Sequence, residues 1–541
     1  MDYKMKELKF EELSIDQKLG MVMAGIITTV RPHERDIYGT YEENLEFVLE
    51  LIRNHSLGGV WVTIPMIERF PDIMPRLKEA ADYPLLIFTD AESGLCEHKV
   101  GRHNAIGIAD SEELAYIFGK VTAIHARKMG YNVVCDPVID MTNKSSPCSG
   151  NNRSMGSDKV RVTELAAAMA RGLHDGGVLT VAKHFPGGYH ELDTHMVPVQ
   201  STSSLEEMIN YYLYPYQELS KMGLIDGLMK GHSMVPSIDP DYPISVSMKS
   251  SELIRSLGFN GFMITDALDM MGLRARYGDE KLKGLCIAGG NEFILPFFSA
   301  KKAYRDLKSC YEQGMIPDDV LDAAVKRVLE AQHKAALYQE PKYTEITEED
   351  ERLFDEINKS SVYAVLDEGV SPSISRDGKH FFSIMVSNAM KLDSDGKILS
   401  NDSFTIPWLH PDKVQAKIKE LFPNSRCQIF YEQPLPRQNA DILSYSLNCD
   451  ESIFITYGEA PASSGSDRFT PRALAVMKAM ELTARYTTQI HFGNPFVLED
   501  APHAKRRLIG CVSADSVDTA LEILAGNLEP KGHPTYKVKL P

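Results

Sequence analysis

Short apolar runs rich in β-branched residues recur through the first 300 residues, and most are followed by amphipathic, helix-like stretches. Eight such runs occur, and after the first they are spaced about 30–50 residues apart, which is typical of βα units. The runs are LGMVMAGI, GGVWVTI, PLLIFTD, YNVVCDPVID, GVLTVAKHF, IDGLMKGH, GFMITDA and NEFILPF. The pattern predicts eight parallel strands that alternate with helices.

Helix signals fill the segments between these runs. Residues 162–177 end in a glycine pair, as expected at a helix C-cap. Residues 203–223 open with Ser204 and Glu207 at capping-box spacing. Eight βα repeats predict a (β/α)₈ TIM-type barrel over residues 1–335, with any active site at the carboxyl ends of the strands. An open, doubly wound sheet of similar size is the alternative that periodicity leaves open.

The pattern changes after the predicted barrel. Residues 336–375 form a polar, acidic linker, in which Thr347 and Asp350 are placed to cap a connecting helix. A second βα series then follows over residues 376–541, with the runs HFFSIMVS, RCQIFYE, SIFITYG, TTQIHFGNPFVL and RRLIGCVS. This series predicts a smaller C-terminal α/β domain, a three-layer sandwich.

Composition narrows the class of protein. The chain of 541 residues is 43% hydrophobic and 25% charged, as ordinary globular proteins are, and its length requires more than one domain. The net charge of −17 argues against a nucleic-acid partner, because binding to phosphate backbones needs a basic surface. No stretch approaches eighteen consecutive apolar residues, so we expect no membrane-spanning helix.

Targeting and cysteine usage point to the cytoplasm. The first twenty residues carry scattered charges and contain no apolar h-region, so we expect no secretory signal and a cytoplasmic location. The eight cysteines show no CxxC pairing, and a chain of this size needs no disulfide framework. We therefore interpret them as free thiols, which are Cys96, Cys135, Cys148, Cys286, Cys310, Cys427, Cys449 and Cys511.

The densest group of chemically capable residues lies in residues 181–198, VAKHFPGGYHELDTHMVP. Lys183 and His184 come at a predicted strand end, and the loop that follows carries the titratable residues His190, Glu191, Asp193 and His195. A carboxylate beside an imidazole fixes the ring and favours its protonated form, so Asp193 and His195 could form a proton donor. A solvated loop without function is one alternative. A zinc site formed by His184, His190 and His195 is another, although their spacing matches no standard zinc pattern.

Asp266 closes a second apolar strand, in the run GFMITDALDMMGL. At the carboxyl end of a barrel strand it would point into the mouth of the barrel, although a lone aspartate there could equally be a helix N-cap. An ionised carboxylate together with a separate proton donor is what cleavage of a glycosidic bond requires.

Other strand ends add polar groups. Asp90 and Glu92 follow the third run, Arg153 lies in the loop NNRSMGSD, and His232 follows the sixth run. Each could be an ordinary cap or turn residue, but together they suit a hydroxyl-rich ligand such as a sugar.

Taken in order, these motifs resemble the family-3 glycoside hydrolases, in particular their β-N-acetylhexosaminidase branch. The resemblance rests on TDAESG, on CDPVIDM followed by NNRSMGSD, and above all on KHFPGG…DTH and LIRSLGFNGFMITDALDMMGL. It extends into the C-terminal region through FGNPFVL and GNLEPKGHP. It implies the two-domain fold predicted above.

The resemblance also implies roles for individual residues. Asp266 would be the nucleophile, and His195 the general acid/base with Asp193 as its partner. The residues that hold the sugar would be Asp90, Arg153, Lys183, His184 and His232. The sequence departs from the family pattern at one substrate arginine, where it reads Leu95-Cys96-Glu97-His98.

These roles describe a retaining exo-β-glycosidase, a β-N-acetylhexosaminidase releasing N-acetylglucosamine from a small carbohydrate without metal or organic cofactor. A glycoside phosphorylase, a β-glucosidase of the same family and a non-catalytic sugar-binding protein are the alternatives.

Overall fold

Two compact units make up the chain. The computed structural model describes residues 5–28, 35–62, 69–144, 152–188, 192–296, 298–338, 340–386, 391–392, 398–400, 411–458, 468–482 and 486–541. The first unit comprises residues 1–98, 115–141 and 159–350, and the second comprises residues 99–114, 142–158 and 351–541. Short segments of the first 160 residues therefore group with the C-terminal half of the chain.

The first unit is built around an eight-stranded parallel sheet in which each strand pairs with the next one in sequence. Its strands are β1 Ala24–Ile27, β2 Gly59–Val62, β3 Leu86–Thr89, β4 Val133–Val134, β5 Leu179–Phe185, β6 Gly227–Lys230, β7 Phe262–Ala267 and β8 Phe293–Leu295. A parallel bridge between Met23 and Ile294 brings the first and last strands together. The predicted barrel is confirmed, and with it all eight predicted strands.

Helices of the barrel unit alternate with its strands along the chain, and α1 precedes the first strand. They are α1 Ile15–Met21, α2 Arg35–Tyr38, α3 Tyr41–Arg53, α4 Phe70–Ala80, α6 Glu112–Met129, α7 Lys159–Asp175, α8 Leu205–Glu207, α9 Tyr214–Lys221, α10 Met248–Ser256, α11 Met271–Tyr277, α12 Asp279–Ala288, α13 Ala300–Glu312 and α14 Asp318–Leu337, while α5 His103–Ala109 belongs to the second unit. 3₁₀ turns cover Phe10–Glu12 and Ile244–Val246, and a π-helical turn covers Met208–Tyr212.

The predicted helix over residues 203–223 is therefore broken into three pieces. Its N-cap is confirmed, because Glu207 N donates to Ser204 Oγ at 3.1 Å. A π turn follows the first helical turn, and Pro215 lies in the first turn of the next piece, where it removes no helical hydrogen bond.

Aromatic rings fill the interior of the barrel. Phe88, Phe262 and Phe293 meet edge to face, with ring centroids 5.4–6.1 Å apart. A Cβ on Gly227 would lie 2.5 Å from the ring of Phe262, so only glycine leaves room for the ring there. The barrel is thus a packed core, and truncating one of these rings to alanine is expected to cost about 3–5 kcal/mol of stability.

The second unit contains a six-stranded mixed sheet in the order β13-β10-β14-β15-β16-β9. Its strands are β9 Val362–Leu366, β10 His380–Val386, β13 Arg426–Tyr431, β14 Glu451–Gly458, β15 Tyr486–Gly493 and β16 Arg506–Gly510, and the short pair β11 Lys391–Leu392 and β12 Ile398–Ser400 lies apart from it. All neighbours are parallel except β9, which runs antiparallel to β16.

Helices cover this second sheet. They are α15 Glu348–Ser360, α16 Pro411–Leu421, α17 Pro436–Ser446, α18 Pro471–Leu482 and α19 Ala514–Leu524, with a 3₁₀ turn at Pro495–Glu499. Helix α16 contacts α19, and α17 contacts α18. The predicted α/β architecture of the C-terminal half is confirmed, with β9 as a strand that the sequence analysis assigned to the linker.

The predicted connecting helix is present as α15, and its cap is confirmed. Thr347 N donates to Asp350 Oδ2 at 2.9 Å, and Asp350 N donates back to Thr347 Oγ1 at 3.2 Å. Among the helices of the described segments, none is both long and apolar enough to cross a bilayer.

Candidate active site

Lys183 forms the centre of a charged cluster at the mouth of the barrel. It lies near the end of β5, is 1% exposed, and its Nζ donates to Asp90 Oδ1, which follows β3. Glu92 Oε1, two residues further along the same loop, lies 2.9 Å from the same nitrogen. Asp90 is half-exposed, so a ligand can reach its carboxylate while the buried ammonium holds it in place.

His184, the next residue of β5, is oriented by a buried carboxylate. Asp140 Oδ2 lies 2.8 Å from His184 Nδ1, and Asp140 Oδ1 accepts from the His184 backbone N–H at 2.9 Å. This bidentate contact fixes the ring, with the Nδ1–H donated to the carboxylate. Asp140 is the last residue of the run YNVVCDPVID, and the sequence analysis assigned it no role.

Asp266 lies near the end of β7 and is half-buried, with Ala267 N donating to its Oδ1 at 2.7 Å. Burial alone would raise its pKa, but the electrostatic influence of the imidazoles of His184, His232 and His195 and the hydrogen bond from Ala267 outweigh burial and lower the pKa. The carboxylate is therefore ionised at neutral pH. The helix N-cap alternative is wrong, because α11 begins only at Met271 and Met270 is its N-cap residue.

His232 holds the segment next to Asp266. Its Nε2 donates to the Ala267 carbonyl at 3.0 Å, and Ser245 Oγ lies 2.9 Å from its Nδ1. Burial lowers the pKa of this imidazole, so the ring is neutral. These contacts favour a role in positioning the backbone beside Asp266, and the assignment of His232 to sugar binding stays a prediction.

Asp193 and His195 form a hydrogen-bonded pair on the loop after β5. Asp193 Oδ1 accepts from both the backbone N–H and the Nδ1 of His195, each at 2.9 Å. The carboxylate is buried whereas the imidazole is half-exposed, so the ring faces the solvent side. Buried carboxylates in this position stabilise the imidazolium form of a histidine.

The loop that carries this pair is attached to the start of α11. Met271 N donates to the His195 carbonyl at 3.1 Å, and Gly272 N donates to the Thr194 carbonyl at 3.0 Å. A Cβ on Gly272 would lie 2.5 Å from the Thr194 oxygen, so the close approach requires glycine. These contacts place the backbone of His195 beside Met271, which follows Asp266 by five positions in the sequence.

Asp269 is a titratable residue of this region that the sequence analysis missed. It is half-buried, and burial together with the charge of Asp266 raises its pKa to about 6. His195 also acts on it electrostatically. No motif of the sequence marks this residue, because the resemblance and the strand pattern single out only Asp266 in this run.

Three further residues that the sequence analysis named, Arg153, His190 and Glu191, have roles that the structure does not test. Arg153 is half-buried in the segment 152–158, which belongs to the second unit, and its role as a substrate residue stays a prediction. His190 and Glu191 lie outside the described residues, as does Cys148. The other seven cysteines carry free thiols, as predicted.

Asp266 lies at a strand end and Asp193 pairs with His195, as the sequence analysis expects, and a comparison of sequences decides the family. The family model for the glycosyl hydrolase family 3 N terminal domain matches residues 42–331. The chain belongs to glycosyl hydrolase family 3. This membership confirms both the family resemblance and the predicted class, a glycoside hydrolase.

Curated relatives match part of the chain, and the first of them is spanned over little more than half of its own length. A beta-N-acetylglucosaminidase/beta-glucosidase from Cellulomonas fimi is 26% identical over 59% of this chain, and the match spans 57% of that relative's length. A beta-hexosaminidase from Pseudomonas aeruginosa (strain LESB58) is 31% identical over 41% of this chain and 70% of its own length.

Solved structures resemble the chain along almost its whole length. A glycoside hydrolase family 3 beta-N-acetylglucosaminidase from Paenibacillus sp. str. FPU-7 superposes with a TM-score of 0.79 at 21% identity, covering 97% of this chain and 99% of that one. The beta-glucoside phosphorylase BglX gives a TM-score of 0.75 at 22% identity, over 98% and 94% of the two chains. At these identities the likeness shows the shared two-domain fold.

Proposed function

We propose that the protein is a retaining exo-β-glycosidase, a β-N-acetylhexosaminidase that releases terminal N-acetylglucosamine through a covalent glycosyl–Asp266 intermediate. One observation carries the proposal. An ionised carboxylate at the end of β7 lies in the electrostatic reach of His195, whose loop is attached to the helix that follows Asp266.

Asp266 is the nucleophile. Its lowered pKa keeps the carboxylate ionised at neutral pH, and an ionised carboxylate can attack the anomeric carbon as the bond to the leaving oxygen breaks. The Ala267 N–H and the imidazoles of His184, His232 and His195 stabilise the ionised form of the Asp266 carboxylate before it attacks.

His195 is the general acid/base. In the first step, protonated Nε2 gives its proton to the glycosidic oxygen, and the aglycone leaves as an alcohol. In the second step, the neutral ring takes a proton from water as that water attacks the glycosyl–Asp266 ester, which releases the sugar and restores the imidazolium. Asp193 accepts the Nδ1–H throughout and fixes the ring.

Asp90, Lys183 and His184 bind the sugar. Lys183 and the carboxylates around it present charged donors and acceptors at two strand ends, and such groups pair with the hydroxyls of a pyranose. Arg153 completes the set in this proposal.

The names of the curated relatives support the N-acetylated substrate. Both relatives carry a hexosaminidase or N-acetylglucosaminidase name, and one of them also carries β-glucosidase. A β-glucoside is therefore the alternative substrate.

Phosphorolysis is the second candidate, and the imidazole favours it. A neutral histidine does not repel an incoming phosphate anion as a carboxylate base does, so phosphate could take the place of water in the second step.

Product analysis tests the proposal. Turnover of aryl β-N-acetylglucosaminide and aryl β-glucoside is followed by proton NMR, with and without millimolar phosphate. We expect the N-acetylglucosaminide to react faster and to give the β-anomer first, independently of phosphate. A first-formed α-anomer would contradict retention, sugar 1-phosphate would identify a phosphorylase, and no turnover of either glycoside would favour a non-catalytic sugar-binding protein.

A further inference from the structure

A group of metal-ligating side chains lies beside the loop that carries Asp90 and Glu92. Cys96 and Glu97 lie near the end of that loop, and His125 lies on α6. One ligand atom from each of the three, a thiol sulfur, a carboxylate oxygen and a ring nitrogen, lies within 4.8 Å of the others.

His98 lies beside this group and contacts two of its three members. Its Nδ1 lies 2.8 Å from His125 Nε2 and 3.8 Å from Glu97 Oε1. Both imidazoles are buried, Cys96 is half-buried, and the side chain of Glu97 is 74% exposed. The group therefore has two buried imidazoles, a half-buried thiol and one exposed carboxylate, and an ion can enter from the side of the carboxylate.

The ligand types select a borderline divalent cation. Thiolate and imidazole are the ligands that Zn²⁺ prefers, and carboxylate is its usual third type. Zinc–ligand bonds of about 2.0–2.3 Å put tetrahedral ligand atoms roughly 3.3–3.7 Å apart. To reach this geometry the two ring nitrogens, 2.8 Å apart, must separate by roughly 0.5–0.9 Å, and the other ligand atoms, all within 4.8 Å of one another, must close on the ion. The exposed side chain of Glu97 is free of packing that would oppose its part of this movement.

We propose that Cys96, Glu97, His98 and His125 bind a Zn²⁺ ion that ties the loop after β3 to helix α6. The thiol proton is released as the zinc–sulfur bond forms. His98 and His125 share a hydrogen bond, and the donor ring moves its proton to its other nitrogen when both rings bind the ion. Because Glu92 of the same loop contacts Lys183, the ion fixes one wall of the charged cluster.

Metal binding by the full-length protein tests the site without reference to activity. After dialysis against a chelator, the wild type is titrated with ZnCl₂ by calorimetry, and a parallel sample is titrated with Co²⁺ and followed by absorption. We expect one tight equivalent of Zn²⁺, a rise in Tm with zinc, and a thiolate-to-cobalt charge-transfer band.

Variants locate the ion. Cys96→Ser and His125→Gln are expected to weaken zinc binding at least about 100-fold, and Glu97→Gln by about 10-fold, because ligands are lost in the first two and a charge in the third. Cys96→Ser also loses the charge-transfer band. Cys427→Ser, which removes a half-buried thiol on β13, is the matched control and keeps wild-type affinity.

Two results overturn the proposal: a wild type that takes up no zinc at micromolar concentration, or Cys96→Ser and His125→Gln variants that bind as tightly as the wild type. Should those two variants fail to fold, Glu97→Gln decides, because its exposed side chain carries no packing. Unchanged zinc affinity in Glu97→Gln would then contradict the site.

Discussion

Two lysines on neighbouring barrel strands are almost equally buried but have different hydrogen-bonding and ionic partners. Lys183 on β5 is 1% exposed and contacts two carboxylates, those of Asp90 and Glu92. Lys230 on β6 is 0% exposed, and its Nζ donates to Ser251 Oγ at 2.8 Å and to two backbone carbonyls at 3.3 Å. Burial without a carboxylate partner lowers the pKa of Lys230 to about 7.

The two lysines differ in where their partners come from: the strand ends at the barrel mouth for Lys183, and the surrounding helices for Lys230. The partners of Lys183 come from the end of β3, where the sugar is proposed to bind, whereas the partners of Lys230 come from α10 and from the end of α12. Burial alone therefore does not mark a functional lysine in this barrel. The partners distinguish the two lysines, because a neighbouring carboxylate favours the charged form of a buried ammonium.

Removal of the nucleophile gives the largest expected effect on the mouth side. Asp266→Asn keeps the shape but not the charge, so kcat/KM toward the aryl glycoside is expected to fall about 10⁴-fold or more. Asp241→Asn, an exposed aspartate of the same unit, is the control and retains full activity. An Asp266→Asn variant with most of its activity would remove Asp266 from the mechanism.

Replacement of each lysine by methionine tests directly whether only Lys183 contributes to activity. Lys183→Met is expected to lower kcat/KM about 10²–10³-fold, since the sugar loses a charged partner and two carboxylates lose their cation. Lys230→Met is expected to change kcat/KM less than about 3-fold, because the site in the mouth is untouched. Steady-state kinetics on both purified variants checks this, and equal losses would mean that the two lysines are not functionally distinct.

Asp269 provides a test of the electrostatic coupling between a carboxyl group and His195. Its carboxyl ionises above a pKa of about 6, and the new negative charge then favours the imidazolium of His195. Asp269→Asn removes that charge, so the basic limb of the kcat/KM profile is expected to move to lower pH by about 0.5–1 unit. A limb that stays in place, or moves to higher pH, would contradict the coupling.

The smallest expected effect is on the pH dependence of the free energy of unfolding, through Lys230. Between pH 7 and pH 10 the unfolded chain keeps a proton on Lys230 that the folded protein has released, so the free energy of unfolding rises with pH. Lys230→Met lacks this contribution. Denaturant titrations at several pH values give the free energy of unfolding of both proteins. We expect that of the wild type to rise relative to that of the variant by about 1.4 kcal/mol per pH unit at most. Parallel pH dependences would show that Lys230 stays charged when buried.

The barrel was predictable because each strand is a short apolar run that ends in a polar residue or a turn. The run at Phe262–Ala267 is an example, since four buried residues precede Asp266. Strand β9 was missed because SVYAV follows α15 without a turn signal, and an antiparallel edge strand leaves no βα period. Only its pairing with β16, about 140 residues later, makes it a strand.

The candidate site was predictable where its residues are close in sequence. Asp193 and His195 stand two positions apart, and their hydrogen bond is present as predicted. Asp140 was missed because its partner, His184, comes 44 residues later and the pair meets only when β5 lies beside the segment after β4. Asp269 was missed for another reason. Its raised pKa depends on burial of the side chain, which follows from the fold and not from the local sequence.

Trapping of the glycosyl–enzyme tests the central claim most directly. The protein is incubated with an activated 5-fluoro β-N-acetylglucosaminide, digested, and analysed by mass spectrometry for the labelled peptide. The account predicts one sugar per chain, attached to Asp266 within the peptide that contains FMITDALDMM. A sugar attached to any other carboxylate, such as Glu92 or Asp269, or release of the aryl group with no covalent adduct at any time, would contradict it.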